Sequence, residues 1–192
     1  MNWIDSRLVY TGLVAAVASL RLFELAVSRR NIARLRARGA VEFGEALYPW
    51  MVAVHSGFLL SCPTEVWLLD RPFRSSLGYS MLAVLCLAAG IRWWAISTLG
   101  DRWSTRVVFV PGEAPVTGGP YRWLRHPNYL AVILEFMALP LIHTAWLTAV
   151  VFSLANAFVL VLRIRTEEAS LSERSEYSRA MGDRPRFHPG LR

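Results

Sequence analysis

The stretch YLAVILEFMALPLIHTAWLTAVVFSLANAFVLVLRI, residues Tyr129–Ile164, decides the fold. It holds two apolar runs, Tyr129–Ile142 and Ala145–Ile164, separated only by His143 and Thr144, and Pro140 marks where the first helix runs out. So short a connection forces the two helices to run antiparallel and in contact. The second run has the roughly 20 residues that cross a hydrocarbon core of about 30 Å at about 1.5 Å per residue; the first is shorter and forms half of a tight hairpin.

Three more apolar runs lie upstream: Leu8–Val27, Leu47–Leu69 and Leu77–Leu99. Each is long enough to span, so the expected fold is all-α, an integral membrane bundle of about five transmembrane helices. Its organisation divides into residues 1–99, three helices with their loops, and residues 100–192, the hairpin with its polar flanks. Composition agrees: of 192 residues, 54% are apolar and only 18% charged, against about 25% charged in soluble domains. A cleavable signal peptide is disfavoured by the weakly basic start and by Arg21 and Glu24 inside the first run. Cys62 and Cys86 lie in apolar runs without ligand-spaced partners, so both read as packing residues and no metal site is expected.

The net charge of +7 comes entirely from arginine, because the chain has no lysine. These arginines punctuate apolar runs and do not form a basic face with interleaved aromatics, which argues for a membrane surface and against nucleic acid. Arg29–Arg38 carries five, Arg102–Arg125 four and the tail from Arg163 seven, whereas Arg7, Arg71 and Arg74 fall on the opposite side. The positive-inside bias then puts the N-terminus outside and both large polar segments, with the C-terminal tail, in the cytoplasm. Trp3, Trp50, Trp67, Trp103, Trp123 and Trp146 fall near span ends, as an interfacial belt requires.

The densest chemistry lies in Gly119-Pro120-Tyr121-Arg122-Trp123-Leu124-Arg125-His126-Pro127-Asn128-Tyr129, just before the fourth helix. Pro127 suits a first helical turn and disfavours helix at the preceding residue, so His126 falls at the cap. The open N–H groups there, with Arg122 and Arg125, read either as a carboxylate or phosphate seat or as a loop facing lipid headgroups. On the fifth helix Asn156, Leu160, Arg163 and Glu167 share one face, and on the fourth Asn128, Val132 and Glu135 do. Polar stripes at membrane depth face a cavity or each other, so the two either line a pocket open to the cytoplasm or form a structural Arg–Glu pair. Arg21, Glu24 and Arg92 read as snorkelling toward the interface, and His55 as a packing residue.

The Gly119–Tyr129 motif, followed by Glu167-Glu168-Ala169-Ser170-Leu171, resembles the isoprenylcysteine carboxyl methyltransferase family, and Glu176-Tyr177 with Arg184–Gly190 looks like its C-terminal pattern. Ala180 stands where many relatives have a second tail tyrosine. The resemblance implies S-adenosylmethionine wrapped by the loop before the fourth helix, the hairpin and the tail, with a lipid acceptor entering laterally. Carried onto this chain, it makes Gly119, Tyr121, His126, Pro127, Tyr129, Glu167 and Glu168 cofactor-side candidates and Arg125 the residue orienting the acceptor oxygen. Glu135 is a candidate base for a phenolic proton; Arg92, Asn156 and Arg163 are candidate substrate contacts.

The N-terminal half, with Arg21-Leu22-Phe23-Glu24-Leu25, Ser28-Arg29-Arg30-Asn31, Gly39 and Tyr48-Pro49, looks like a bacterial branch associated with lipid-producing polyketide synthases, whose members O-methylate long-chain alkylpyrones or alkylresorcinols. Two rivals stand beside this reading. Membrane sterol-type reductases that use NADPH also resemble the Arg125–Tyr129 segment, although they are longer. A non-enzymatic transporter or assembly factor requires a polar path through the whole bilayer, whereas the charges here gather toward one side.

Overall fold

A computed structural model describes residues 3–174 and 181–187. Five helices make the body: α1 (Trp3–Ala37), α2 (Tyr48–Leu68), α3 (Ser75–Leu99), α4 (Pro127–Leu141) and α5 (Trp146–Arg174). The all-α membrane-type architecture is therefore as expected, with one addition. Strands β1 (Val41–Phe43) and β2 (Val107–Phe109) pair antiparallel, Val41 opposite Phe109 and Phe43 opposite Val107, in a small ribbon at one end of the bundle.

Two helices outrun their apolar runs. α1 continues ten residues past Val27 and α5 ten past Ile164, because the arginines and glutamates that follow are good helix formers. Arg34 and Arg36 in the last turn of α1 also complement the helix dipole. The segments Asp5–Ala37, Ser75–Arg102 and Trp146–Ser170 are long and apolar enough to cross a membrane. α2 is long enough, but His55, Pro63 and Glu65 interrupt its apolar run, so its membrane-spanning character does not follow from composition as it does for the other three. α4 has 15 residues, nine of them buried, so it is enclosed by protein and need not match the bilayer thickness.

The core lies at the end of the bundle where the hairpin turns. Tyr10 and Val14 of α1, Phe58 and Cys62 of α2, and Phe136 and Leu139 of α4 are buried together, and the Phe58 and Phe136 rings stack at 4.0 Å. Cys62 thus packs as expected, while Cys86 faces outward. Without a strong hydrophobic drive between helices in lipid, such close contacts and interhelical hydrogen bonds carry the association. Glu65 of α2 supplies one: its carboxylate accepts from the backbone N–H of Leu147 (3.1 Å) and Thr148 (2.6 Å), capping α5, and pairs with Arg71 at 2.8 Å.

At the opposite end α1 and α2 are not packed into this core, and α1 instead clamps the loop after α3. Asn31 donates to the carbonyls of Gly100 (3.2 Å) and Trp103 (2.9 Å), and Ser28 accepts from the Thr105 N–H at 2.8 Å. This buries Trp103, which therefore does not join the interfacial belt; Trp50, Trp67, Trp123 and Trp146 are exposed.

Candidate active site

Residues 119–122 form a short 3-10 turn that brings the polar motif against α3. Gly119 has φ +51, and a Cβ there would overlap the Thr98 hydroxyl, so both backbone and packing demand glycine. His126 caps α4 and Pro127 fills its first turn.

The tail then docks on this segment. The N–H groups of Arg125 and His126 donate to the carbonyls of Pro185 (3.0 Å) and Arg186 (3.3 Å). Arg125 Nε donates to the Arg184 carbonyl at 2.5 Å, and Arg184 in turn bonds the Tyr121 carbonyl. Glu168 is the node of the latch: it lies 3.0 Å from His126 Nε2, 3.3 Å from Arg125 and 2.5 Å from Arg186. The expected wall at Glu176, Tyr177 and Ala180, and beyond Phe187, lies outside the described residues.

One turn along α4, Tyr129 stacks on the His126 ring at 5.2 Å. Its hydroxyl donates to Glu167 and accepts from Arg163 Nε at 2.7 Å. Arg163 also reaches the Thr105 carbonyl and the Met51 Sδ, each at 2.7 Å, and so ties α5 to β2's approach and to α2.

Deeper in the bundle lies a second cluster. Glu135 of α4 is 2.7 Å from Arg92 of α3 and 3.6 Å from Arg21 of α1. Glu24 is 2.5 Å from Arg21 and 3.6 Å from Arg92. The four charges cancel and join three helices, so Arg92 is buried in an ion-pair network and does not snorkel.

Between the two clusters lies one cavity of about 630 Å³. Arg92, Tyr121, Arg125, His126, Tyr129, Asn156, Arg163 and Glu167 line it, as do Asn128 and Val132. The two stripes therefore share a hollow. Gly119, Pro127, Glu135 and Glu168 stand behind its surface, where they shape the turn, the helix start, the ion pairs and the tail latch. Glu135, expected as a base, is engaged by two guanidinium groups; Arg125, expected to orient an acceptor, is held by the tail.

Sequence reasoning did not place α1 and α2 in this wall, yet Ala18, Leu22 and Leu25 of α1 face the cavity with Val52, Leu59 and Leu60 of α2. Leu22 and Leu60 are also exposed on the outer surface, so the cavity's apolar flank meets the lipid-facing side between these helices. His55 lines the cavity too. The only sequence signal for it was its place amid apolar residues on α2, one turn after Met51.

Strand β2 borders the cavity, and β1 is pinned beside it. Glu42 of β1 accepts from Arg106 (2.6 Å) and Arg36 (2.8 Å), and Arg106 lies over the Tyr48 ring at 4.3 Å. Burial pushes the Glu42 carboxyl up, but these two hydrogen bonds outweigh it and hold it below the ordinary carboxylate range. The same bond raises Arg106 above its usual value.

Comparison with known proteins gives a consistent picture. The model of the isoprenylcysteine carboxyl methyltransferase family matches residues 81–173. That span takes in Arg92, the polar motif, the hairpin and the Glu167–Glu168 pair. An uncharacterized protein, YpbQ, of Bacillus subtilis (strain 168) is 40% identical over 163 residues, 85% of this chain and 96% of that protein. An uncharacterized protein of Haemophilus influenzae is 27% identical over 159 residues, 82% and 92% of the two chains.

Proposed function

This chain belongs to the isoprenylcysteine carboxyl methyltransferase family and is a membrane methyltransferase, and from that premise we propose that it moves a methyl group from S-adenosylmethionine to an oxygen of a long-chain lipophilic acceptor. The observation that carries the reading is the single cavity, polar around Tyr129, Arg163 and Glu167 and apolar between α1 and α2. A nucleoside donor and a greasy acceptor need both kinds of wall in one enclosure.

The residues fit the donor. Asn128 Oδ1 is buried at the start of α4 without a hydrogen-bond partner among the described residues, and Glu167 adds a carboxylate. Acceptor oxygens of this kind suit the ammonium and amino groups of S-adenosylmethionine and tolerate its positive charge. When bound, it supplies an electrophilic methyl group on a sulfonium.

The chain's own part is positioning and exclusion of water. Tyr129 and Arg163 fix the Glu167 carboxylate, and the Glu168 latch holds the tail over the motif. Arg125 braces that tail from the cavity wall. Arg92 and Arg21, which line the cavity together with Asn156, stabilise charge on the acceptor oxygen. The acceptor's chain lies between α1 and α2, and the polar end of the cavity faces the cytoplasm of a bacterial cell. Alkylpyrones or alkylresorcinols from a polyketide synthase, or a prenylcysteine-like carboxylate, match these demands.

The test is incubation of the detergent-purified protein with S-adenosylmethionine labelled in its methyl group and a lipid extract of the native cells. A labelled methylated lipid in the mass spectrum supports the reading. No labelled product, with calorimetry showing binding of NADPH and none of S-adenosylhomocysteine, contradicts it.

A further inference from the structure

Among the described residues, His55 lines the cavity with one ring nitrogen that no hydrogen bond occupies. Its Nδ1 lies 2.8 Å from the Met51 carbonyl. A carbonyl only accepts, so Nδ1 must carry the proton, and in the neutral ring Nε2 is then left with a lone pair. Among the described residues nothing hydrogen-bonds that Nε2. The Phe136 ring meets the imidazole edge-on at 4.9 Å and fixes its plane.

The other candidate bases are engaged. Glu135 is gripped by Arg92 and Arg21, and Glu24 pairs with the same two guanidiniums. Glu167 accepts from Tyr129, whose own oxygen accepts from Arg163. His126 Nε2 faces Glu168 at 3.0 Å.

His55 also stands at the right place along the cavity. Met51, one turn earlier, touches Arg163, so His55 lies about 6 Å along α2 from the polar chain that ends at Glu167. The charged groups facing it are Arg163 from α5, Arg92 from α3 and Glu135 from α4, with Arg21 and Glu24 of α1 on the same cavity wall. A proton acceptor thus sits beside guanidinium donors, the pairing that a hydroxyl needs to become a nucleophile.

We propose that His55 is the base of this site and that the acceptor is accordingly a lipid hydroxyl of phenol or enol type. This rests on the methyltransferase reading above and narrows its acceptor from any oxygen to a protonated one. The acceptor's O–H proton passes to His55 Nε2 while its oxygen forms a bond to the methyl carbon. The S–CH₃ bond breaks with its electron pair staying on sulfur, and the products are a methyl ether, a thioether and one proton that His55 returns to water. An acceptor that is already ionised needs no such base.

The experiment compares two probes of equal chain length, a para-alkylphenol and the corresponding alkylnitrophenol, which is ionised at the assay pH. It uses the full chain in detergent as wild type, His55→Ala and His55→Asn; the asparagine can still bond the Met51 carbonyl if alanine loosens α2. Both variants should lose roughly a hundredfold or more in transfer to the alkylphenol and stay within a few-fold of wild type on the nitrophenol. S-adenosylhomocysteine binding by calorimetry should be unchanged. With no methyl donor present, nitrophenol bound to wild type should show its phenolate colour at lower pH than nitrophenol bound to either variant.

Equal losses on both probes, or an unchanged rate on the alkylphenol, overturn the assignment while leaving the methyltransferase reading intact. A wild type that binds no S-adenosylhomocysteine and methylates neither probe removes that reading, and this inference with it.

Discussion

Leucine in place of Glu135 removes the carboxylate that two guanidiniums share and leaves Arg92 and Arg21 with only Glu24 between them. Glu135 and Arg92 are 5% and 8% exposed and 2.7 Å apart. Removing one partner of so buried a pair costs about 3–5 kcal/mol, most of it the penalty of an uncompensated charge. For a chain of 192 residues, each kcal/mol moves the melting temperature by about 2–4 °C, so Glu135→Leu should melt roughly 6–20 °C below wild type. Arg92→Leu should fall by a similar amount, because it leaves Glu135 with only the longer contact to Arg21. The double variant removes both charges and keeps Arg21 paired with Glu24 at 2.5 Å, so it should recover most of the loss. The coupling from the cycle is then about 2 kcal/mol or more. Thermal unfolding of the four proteins in one detergent measures this. A double variant that melts as low as the sum of the two single losses refutes the claim that these charges stabilise the bundle by compensating one another.

Further outcomes follow from other contacts. Tyr129→Phe removes the hydroxyl that bridges Glu167 and Arg163 and should weaken S-adenosylhomocysteine binding about tenfold or more in calorimetry, at about 1.5–3 kcal/mol for hydrogen bonds to charged groups. Glu168→Ala releases His126, Arg125 and Arg186 together, so limited proteolysis should cut the segment Met181–Phe187 faster than in wild type; equal rates argue against the latch. Glu42 has a lowered pKa in the folded protein, so its contribution is present above the ordinary value of about 4.3 and is lost as pH falls through its lower folded value. Amide protection at Val41–Phe43 and Val107–Phe109 should therefore drop in acid, and Glu42→Gln should lower protection at neutral pH and flatten this dependence.

How far the chain announces itself varies with the kind of contact. The α4–α5 hairpin was legible because two apolar runs flank a two-residue connection, and both stripes reach the cavity, all but Glu135 lining it, because helical spacing fixes which residues share a face. What faces a stripe is a long-range matter. Spacing put Glu135 in line with Asn128, but nothing local showed that α1 and α3 would bring Arg21 and Arg92 to it. His55 reads from sequence as a packing residue, because a lone histidine in an apolar run carries no pattern, and its tautomer is set by the Met51 carbonyl, a contact visible only in three dimensions. The ribbon escaped notice because strands of three residues are too short for alternation to register. Gly39 and Gly44, both at positive φ around β1, were the available hint. Apolar runs alone do not mark helix ends: α1 and α5 continue past theirs through helix-forming charged residues.

Whether donor and acceptor share one cavity is measured by an experimental structure of the protein with S-adenosylhomocysteine and a long-chain alkylphenol both bound. The nucleoside should lie against Asn128, Tyr129 and Glu167, with the phenol oxygen near His55 and Arg92 and its chain leaving between α1 and α2. Density for the two ligands in separate sites, or an alkyl chain bound on another face of the bundle, would contradict this placement.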